Sequence, residues 1–139
     1  MLLRSGVQHI RLIDFDQVTL SSLNRHAVAT RADVGLAKVE AMKRRLLDIL
    51  PQANIESCNT LFDKDSASDL LSGNPDFVLD CIDNVNTKVD LLEACVVRGI
   101  KVLSSMGSGA KADPTRIQIA DISETFGMSN VLTRSVQVC

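Results

Sequence analysis

The sequence predicts an α/β fold built on a mostly parallel sheet with helices on both faces. Two observations lead to this prediction. Short, continuously apolar runs alternate with longer segments whose apolar residues recur at helical spacing, which is the pattern of repeated strand–helix units. Most of the short runs also lack the polar and apolar alternation of a half-solvated sheet, so both faces of their sheet should be covered.

The first strand–helix unit is expected over residues 9–50. Residues 9–13, with the sequence His-Ile-Arg-Leu-Ile, form an apolar run typical of a strand. Residues 34–50 are expected to form a helix, with Asp33 as its N-cap and Pro51 ending it. Its predicted inward stripe consists of Val39, Met42, Leu46 and Ile49.

Further units follow along the chain. Residues 54–58, 77–82 and 100–103 are predicted strands, and residues 64–71 are a predicted helix. Another helix is expected between the last two of these strands, closed by Gly99 and with an apolar stripe of Val85, Val89, Leu92 and Val96. A last candidate strand at residues 116–122 alternates polar and apolar side chains, as an edge strand would.

Composition limits the classes of function. The chain has 139 residues, of which 45% are hydrophobic, and its net charge is -2, so one globular domain without a broad nucleic-acid surface is expected. The basic run at residues 43–45 is interpreted as a solvated helix face rather than a phosphate-backbone patch. Four cysteines without C-x-x-C spacing indicate a reducing compartment, and no apolar stretch approaches the roughly 20 residues of a membrane span.

Charged side chains follow the first predicted strand in a pattern suited to a nucleotide. Asp14 and Asp16 come directly after the strand, and Arg25 and Lys38 lie on the connection that follows. A carboxylate at a strand end can bind ribose hydroxyls, while an arginine fork and a lysine charge can neutralise phosphate oxygens. Asp83 follows a later strand and should reach the same rim of the sheet, where carboxylates beside a triphosphate indicate Mg²⁺.

Two of these residues have a simpler alternative role. Lys38 lies in the first turns of its predicted helix, where the helix dipole disfavours a cation, so a bound anion would remove the conflict. It could equally extend into water, where the penalty is screened. Asp16 could equally cap the turn after the strand, because short acidic side chains often do so.

Other polar residues are assigned structural roles. Asn84 is interpreted as the N-cap of the following helix, and Asp80, within an apolar run, as a buried hydrogen-bonding group. His9 and His26 have no carboxylate or cysteine at catalytic spacing. Because Cys81 lies on a predicted buried strand, it is not expected to act as a nucleophile, and the same holds for the helical Cys95.

These spacings, taken together, resemble the E1-like ThiF/MoeB/HesA superfamily of adenylating enzymes. The shared motifs are Asp14-x-Asp16-x-Val18, Ser21-x-Leu23-x-Arg25, Gly35-x-x-Lys38-Val39 and Asp80-Cys81-Ile82-Asp83-Asn84. Within the superfamily the chain is most similar to the tRNA threonylcarbamoyladenosine dehydratases (TcdA/CsdL), through Asp83-Asn84-Val85-x-Thr87-Lys88 and Gly107-Ser108-Gly109-Ala110-x-x-Asp113-Pro114-Thr115-x-Ile117-Gln118.

The resemblance implies a Rossmann-like, doubly wound fold and an ATP-dependent ring closure on threonylcarbamoyladenosine at position 37 of tRNA. A carboxylate would attack the α-phosphate of ATP to form an acyl-adenylate. By the same resemblance, Asp14 would hold the ribose and Asp16 would also belong to the nucleotide site. Arg25 and Lys38 would bind the phosphates, and Asp83 would serve Mg²⁺ and the adenylation step. Relatives are commonly homodimers, so a homodimer with a modified tRNA as substrate is expected.

The chain departs from the family pattern at both ends. Only residues 3–7 of the expected first helix are present, and the first strand and Gly-rich phosphate loop are not. Residues 1–125 therefore read as a partial ThiF-type ATP-binding domain and residues 126–139 as a divergent tail, with low stability and little activity expected. Cytosolic exposure is expected; full-length eukaryotic relatives associate with the mitochondrial outer membrane through segments outside this region.

Alternative functions differ in what would be adenylated. An activator of a ubiquitin-like or sulfur-carrier protein would attack the carrier's C-terminal carboxylate by the same chemistry. Many such activators carry paired C-x-x-C zinc motifs, which favours the tRNA interpretation here because none begins before Cys139. A non-catalytic remnant of the fold is a third interpretation, and an NAD-binding dehydrogenase domain is a distant fourth because the dinucleotide fingerprint is absent.

Overall fold

The computed structural model describes residues 1–106, 119–121 and 123. The chain divides into two compact units, Met1–Phe62 and Asp63–Cys139. The regular elements are β1 (His9–Ile13), α1 (Lys38–Ile49), β2 (Asn54–Cys58), α2 (Ala67–Leu70), β3 (Val78–Asp80), α3 (Val85–Val97) and β4 (Val102–Ser104), with 3₁₀ turns at Leu2–Ser5, Leu20–Ser22 and Arg31–Asp33.

The first unit is a parallel strand pair joined by a helical crossover. β1 and β2 run parallel in a register that pairs His9 with Asn54 and Ile13 with Cys58, and both strands have the bounds that the sequence predicts. α1 lies against both strands. The core of this unit holds Leu3, Ala53 and Ile55, with Ile10, Leu12, Leu46, Leu47 and Leu50 packed against it.

The start of α1 differs from the prediction. The helix begins at Lys38 rather than at residue 34, and Ala37 is its N-cap without a side-chain hydrogen bond. The predicted cap, Asp33, is the last residue of the preceding 3₁₀ turn, where its carboxylate accepts hydrogen bonds from the backbone N–H and hydroxyl of Thr30. Its carboxylate therefore points back along the chain, and Gly35 at φ 94° interrupts the helical path.

The inward face of α1 is also narrower than predicted. Val39 and Ala41 are buried, whereas the predicted stripe residue Ile49 is 38% exposed. Ile49 is the last residue of the helix, so less of the fold covers it. The basic run at residues 43–45 lies at the surface, and Arg45 forms an exposed ion pair with Asp48. This agrees with the predicted solvated helix face.

The second unit repeats the parallel arrangement on a smaller scale. β3 and β4 are parallel, in a register that pairs Val78 with Val102 and Asp80 with Ser104, and α3 lies against β3. Asn84 is the N-cap of α3, as predicted, with its Oδ1 accepting the N–H of Thr87 at 3.2 Å. Parallel strand pairs with crossover helices in both units agree with the predicted Rossmann-like α/β class.

The buried face of α3 is not the stripe that periodicity predicts. Val85 and Val96 are exposed, and the residues buried on this helix are Lys88, Leu91, Leu92, Ala94 and Cys95. The apolar count missed this face because a lysine occupies one of its inward positions. The prediction that Leu92 is buried is confirmed, since only 1% of it is exposed.

Three boundaries in the second unit are shorter or shifted. α2 covers four residues, β3 ends at Asp80, and β4 begins at Val102. Cys81 therefore lies beyond the strand and is exposed, so burial is the wrong reason for excluding it as a nucleophile. Of the predicted strand at residues 116–122, residues 119–121 are described and are not in a strand; the rest, like the loop at 107–109 and the tail at 126–139, lies outside the described residues. No described helix is long and apolar enough to cross a membrane.

Candidate functional site

The carboxyl end of β1 places Asp14 in a fixed turn. Its backbone N–H donates to the carbonyl of Cys58 at 3.2 Å, which extends the β1–β2 pairing by one residue. Its Oδ1 accepts the backbone N–H of Asp16 at 2.8 Å. The turn-capping role considered for Asp16 therefore belongs to Asp14, and the carboxylate of Asp16 is free for another contact.

Asp16 makes that contact with Lys38. The lysine Nζ lies 2.5 Å from Asp16 Oδ2, with the lysine side chain 22% exposed and the aspartate side chain 49% exposed. The backbone N–H of Lys38 also donates to the carbonyl oxygen of Asp16 at 2.9 Å. Lys38 thus does not extend freely into water, because it is paired with Asp16. The carboxylate also offsets the unfavourable interaction of the lysine with the helix dipole at the first residue of α1.

The two segments that carry this ion pair are held together by their backbones. Gln17 and Ala37 form an antiparallel bridge, and Val18 exchanges hydrogen bonds with Leu36 and Gly35 at 2.7 and 2.9 Å. Val18 is almost fully buried and anchors the segment. The bridge therefore sets the position of the Asp16–Lys38 pair independently of the ion pair itself.

Arg25 lies on the connection between β1 and α1 and is exposed. Its guanidinium donates to the carbonyl of Ser21 at 3.2 Å and to the side-chain oxygen of Asn24 at 3.1 Å. Both acceptors are neutral, so the positive charge of Arg25 is uncompensated by these contacts. Nearby, His26 Nδ1 accepts the N–H of Ala29 at 3.1 Å, which agrees with the structural role predicted for this histidine.

Asp83 lies in the second unit, on the short connection between β3 and α3, whereas the other four predicted site residues lie in the first. It is exposed, and the structure shows no hydrogen bond or ion pair to its side chain from the described residues. Its neighbours on both sides are held, because Ile82 donates its N–H to Asp80 and Asn84 caps the helix.

A buried ion pair in the second unit confirms the buried, hydrogen-bonded role predicted for Asp80, whereas its partner Lys88 was not predicted. The Nζ of Lys88 lies 2.6 Å from Asp80 Oδ2, and the exposed fractions of the two residues are 8% and 1%. The ammonium group also donates to Ser104 Oγ at 3.2 Å and to the carbonyl of Ser105 at 3.1 Å. The available signal was spacing, since Lys88 stands four and seven residues before Leu92 and Cys95 on one helix face.

The number of neighbouring carboxylates in each unit limits the kind of metal site that the unit could form. Among the described residues, no cluster of three or more histidine, cysteine or acidic side chains could by itself enclose a metal ion. Mg²⁺ does not need such a cluster, because it commonly takes one or two carboxylates together with phosphate oxygens and water. In the first unit Asp16, and in the second unit Asp83, each offers an exposed carboxylate that could supply such an oxygen donor.

Comparison with known proteins shows which proteins this chain is similar to. Over 126 residues the chain is 51% identical to tRNA threonylcarbamoyladenosine dehydratase 2 of Saccharomyces cerevisiae, which covers 89% of this chain and 28% of the yeast protein. The structure of Escherichia coli TcdA in complex with ATP superimposes with a TM-score of 0.85 at 34% identity, covering 90% of this chain and 51% of that one. The chain thus spans between about a quarter and a half of these relatives.

A second group of relatives matches a shorter part of the chain. The adenylyltransferase and sulfurtransferase MOCS3 of Drosophila grimshawi is 38% identical over 109 residues, which is 78% of this chain and 24% of that protein. The sequence model of the ThiF family matches residues 1–138. The chain therefore belongs to the ThiF family.

Proposed function

We propose that this chain provides the nucleotide-binding part of an ATP-dependent tRNA threonylcarbamoyladenosine dehydratase. The observation that carries the proposal is the lysine held at the first residue of α1, 2.5 Å from a carboxylate at the end of β1. Ligands of open α/β folds bind at this end of the strands. The proposed substrate is supported by the relatives at 35 to 51% identity that carry this name.

In the proposed reaction the carboxylate of the threonylcarbamoyl group attacks the α-phosphorus of ATP. The P–O bond to the β-phosphate breaks, pyrophosphate leaves, and an acyl-adenylate forms. An internal nucleophile of the modified adenosine then attacks the acyl carbon, AMP leaves with one former carboxylate oxygen, and the ring closes. The protein has to bring two anions together and stabilise the charge that develops on phosphorus.

Each charged residue has a role in this scheme. Asp14 binds the ribose hydroxyls, since it lies at the strand end, and Arg25 binds phosphate with a guanidinium that meets only neutral acceptors in the described residues. Lys38 binds phosphate after its ion pair with Asp16 is broken. Asp83 would hold Mg²⁺, which when bound neutralises triphosphate charge and supplies Lewis-acid chemistry. The carboxylate of Asp16, once Lys38 has released it, is available to a cation within the first unit.

The exchange at Lys38 follows from its surroundings. With Asp16 in place the ammonium group is already neutralised, so a phosphate oxygen must replace the carboxylate. Because the pair is partly exposed, its mutual attraction is about 0.2–1 kcal/mol, which a charge-assisted contact to a phosphate can exceed. The backbone bridge between Gln17 and Ala37 keeps both side chains near the site while the exchange occurs.

A second candidate is an activator of a ubiquitin-like or sulfur-carrier protein, favoured by the 38% identity to the MOCS3 adenylyltransferase. The adenylation chemistry would be the same, with a peptide C-terminal carboxylate as the nucleophile. Homodimerisation and a cytosolic location also stay predictions, and so does the assignment of residues 1–125 as the ATP-binding domain.

The test is to incubate the protein with ATP, Mg²⁺ and tRNA that carries threonylcarbamoyladenosine, and to digest the tRNA for mass spectrometry. The proposal predicts a nucleoside lighter by one water, formed together with AMP. Lys38→Ala and Arg25→Ala should each weaken ATP binding by about 10- to 100-fold, the equivalent of roughly 1.5–3 kcal/mol for a charged hydrogen bond.

Arg45→Ala is the matched control for these variants, because it removes a cation from an exposed pair elsewhere on α1. ATP binding by this control should stay within about twofold of the parent. Adenylation of a carrier-protein C-terminus without any cyclic nucleoside would favour the second candidate. Absence of both reactions, with no ATP binding, would reject nucleotide chemistry for this chain.

A further inference from the structure

We propose that Lys88 is a positioning residue that sets the place of Asp83 for the adenylation step, an inference that rests on the proposed function. Among the described residues, no hydrogen bond or ion pair joins the lysine to Asp83. It acts through Asp80, whose Oδ2 it meets at 2.6 Å, while the other carboxylate oxygen of Asp80 accepts the N–H of Ile82 at 2.9 Å. Ile82 is the residue before Asp83.

The network joins three separate parts of the second unit at one ammonium group. Lys88 comes from the first turns of α3, Asp80 from the end of β3, and Ser104 and Ser105 from the end of β4. Ser104 Oγ also donates to Asp80, and the N–H of Ser105 donates to the Asp80 carbonyl at 2.8 Å. All three N–H donors of the lysine are therefore used.

The cost of burying these charges argues for a geometric role. The exposed fractions of Lys88 and Asp80 are 8% and 1%, and well-packed apolar residues can match or exceed the stability of such a pair. What an apolar pair cannot supply is the directed contact to three polar atoms outside the pair: the N–H of Ile82, Ser104 Oγ and the carbonyl of Ser105. The network is thus suited to fixing where β3 and β4 end and how the chain turns toward Asp83.

The connection from β3 to α3 is held at both of its ends. Ile82 is tied to Asp80 on one side, and Asn84 caps the helix through the N–H of Thr87 on the other. Asp83 stands between them, exposed and without a hydrogen bond from the described residues. Its position is therefore set by its neighbours, and Lys88 is the group that holds Asp80 in place.

The test replaces the charged pair as a unit. Lys88→Met alone would leave a buried carboxylate without its cation and is expected to unfold readily. Asp80→Asn combined with Lys88→Met leaves no buried charge, and the new amide oxygen can still accept the N–H of Ile82. Lys64→Met is the matched control, since that ammonium is exposed and pairs loosely with Asp90 and Glu93 at 3.4 and 3.7 Å.

The first readout is amide hydrogen exchange, which needs no catalytic activity. In the double variant the amides of Ile82 and Ser105 should exchange at least about tenfold faster than in the parent and in the control. The amide of Ile100, which donates to Cys95 at 2.9 Å beyond the network, should be unchanged. Unchanged exchange at Ile82 and Ser105, or equal acceleration at Ile100, would overturn the proposal.

The second readout is the rate of pyrophosphate release. The double variant should lose at least about tenfold in kcat while the KM for ATP stays within about twofold, because the nucleotide contacts assigned to the first unit are intact. Unchanged kcat with faster exchange would reduce the network to a structural role and overturn the proposal. A parent protein that releases no pyrophosphate would contradict the proposed function, whereas the exchange data would still decide whether Lys88 positions the connection.

Discussion

Replacing Asp16 by Asn tests whether a phosphate oxygen of ATP has to replace the Asp16 carboxylate at Lys38. The substitution removes the negative charge that lies 2.5 Å from the Lys38 ammonium, and it keeps the backbone contact between the two residues. If a phosphate has to displace Asp16, the variant should bind ATP more tightly when no metal is present. The gain cannot exceed the strength of the pair itself.

The size of that gain follows from exposure. With the two side chains 22% and 49% exposed, the pair belongs to the class of solvent-screened ion pairs. Such pairs contribute about 0.2–1 kcal/mol, so the expected gain in ATP affinity is at most about fivefold. It should shrink as salt is added, because salt screens the attraction. With Mg²⁺ the gain should be lost, because the carboxylate of Asp16 then serves the cation.

Isothermal titration with ATP in the presence of EDTA measures this effect. Asp48→Asn is the control, since it makes the same charge change in an exposed pair with Arg45. Weaker ATP binding by Asp16→Asn without metal would refute the exchange, because it would mean that the carboxylate assists the nucleotide directly. An equal gain in Asp48→Asn would show a general charge effect and would refute it as well.

Three further results are expected. Leu92→Ala should lower the free energy of unfolding by about 2–5 kcal/mol in urea denaturation, because the side chain is almost fully buried and its loss leaves a cavity. The N–H and hydroxyl of Ser66 hold the pKa of Asp63 below its usual value. The ionised Asp63 therefore stabilises the fold above about pH 4, and this stabilisation is lost as the pH falls through the lowered pKa. Asp63→Asn should reduce the change of the urea midpoint with pH in this acidic range. Iodoacetamide labelling followed by peptide mapping should modify the exposed Cys81 in the folded protein and Cys95 only after unfolding, because burial raises the pKa of the Cys95 thiol and shields it.

The strands of the first unit could be predicted to the residue because local pattern decides them. Each is a five-residue run followed directly by a polar residue, Asp14 after β1 and Asn59 after β2. The start of α1 could not be predicted in the same way. Hydrogen bonds between Thr30 and Asp33 stabilise a separate 3₁₀ turn in place of a helix that starts at residue 34. The spacing of apolar residues does not reveal these polar contacts.

The sequence predicts that Asp14, Asp16 and Lys38 lie near one another, because of where these charges stand relative to the strand and the helix, and the structure brings the three together. Their individual contacts could not be predicted. That Asp14 caps the turn while Asp16 pairs with Lys38 depends on a backbone bridge between segments about 20 residues apart. Lys88 was missed for a related reason: a count of apolar residues treats a lysine as outward-facing, whereas hydrogen-bond partners from two strands make its burial possible.

The most direct test of carboxylate adenylation follows one oxygen atom. The threonylcarbamoyl carboxylate of the tRNA is labelled with ¹⁸O, the protein is supplied with ATP and Mg²⁺, and the nucleotide products are analysed by mass spectrometry. Adenylation predicts one ¹⁸O in each AMP, because the carboxylate oxygen stays on the α-phosphorus when the ring closes. Label in inorganic phosphate, with ADP as the other product, would show attack at the γ-phosphorus and would contradict the account.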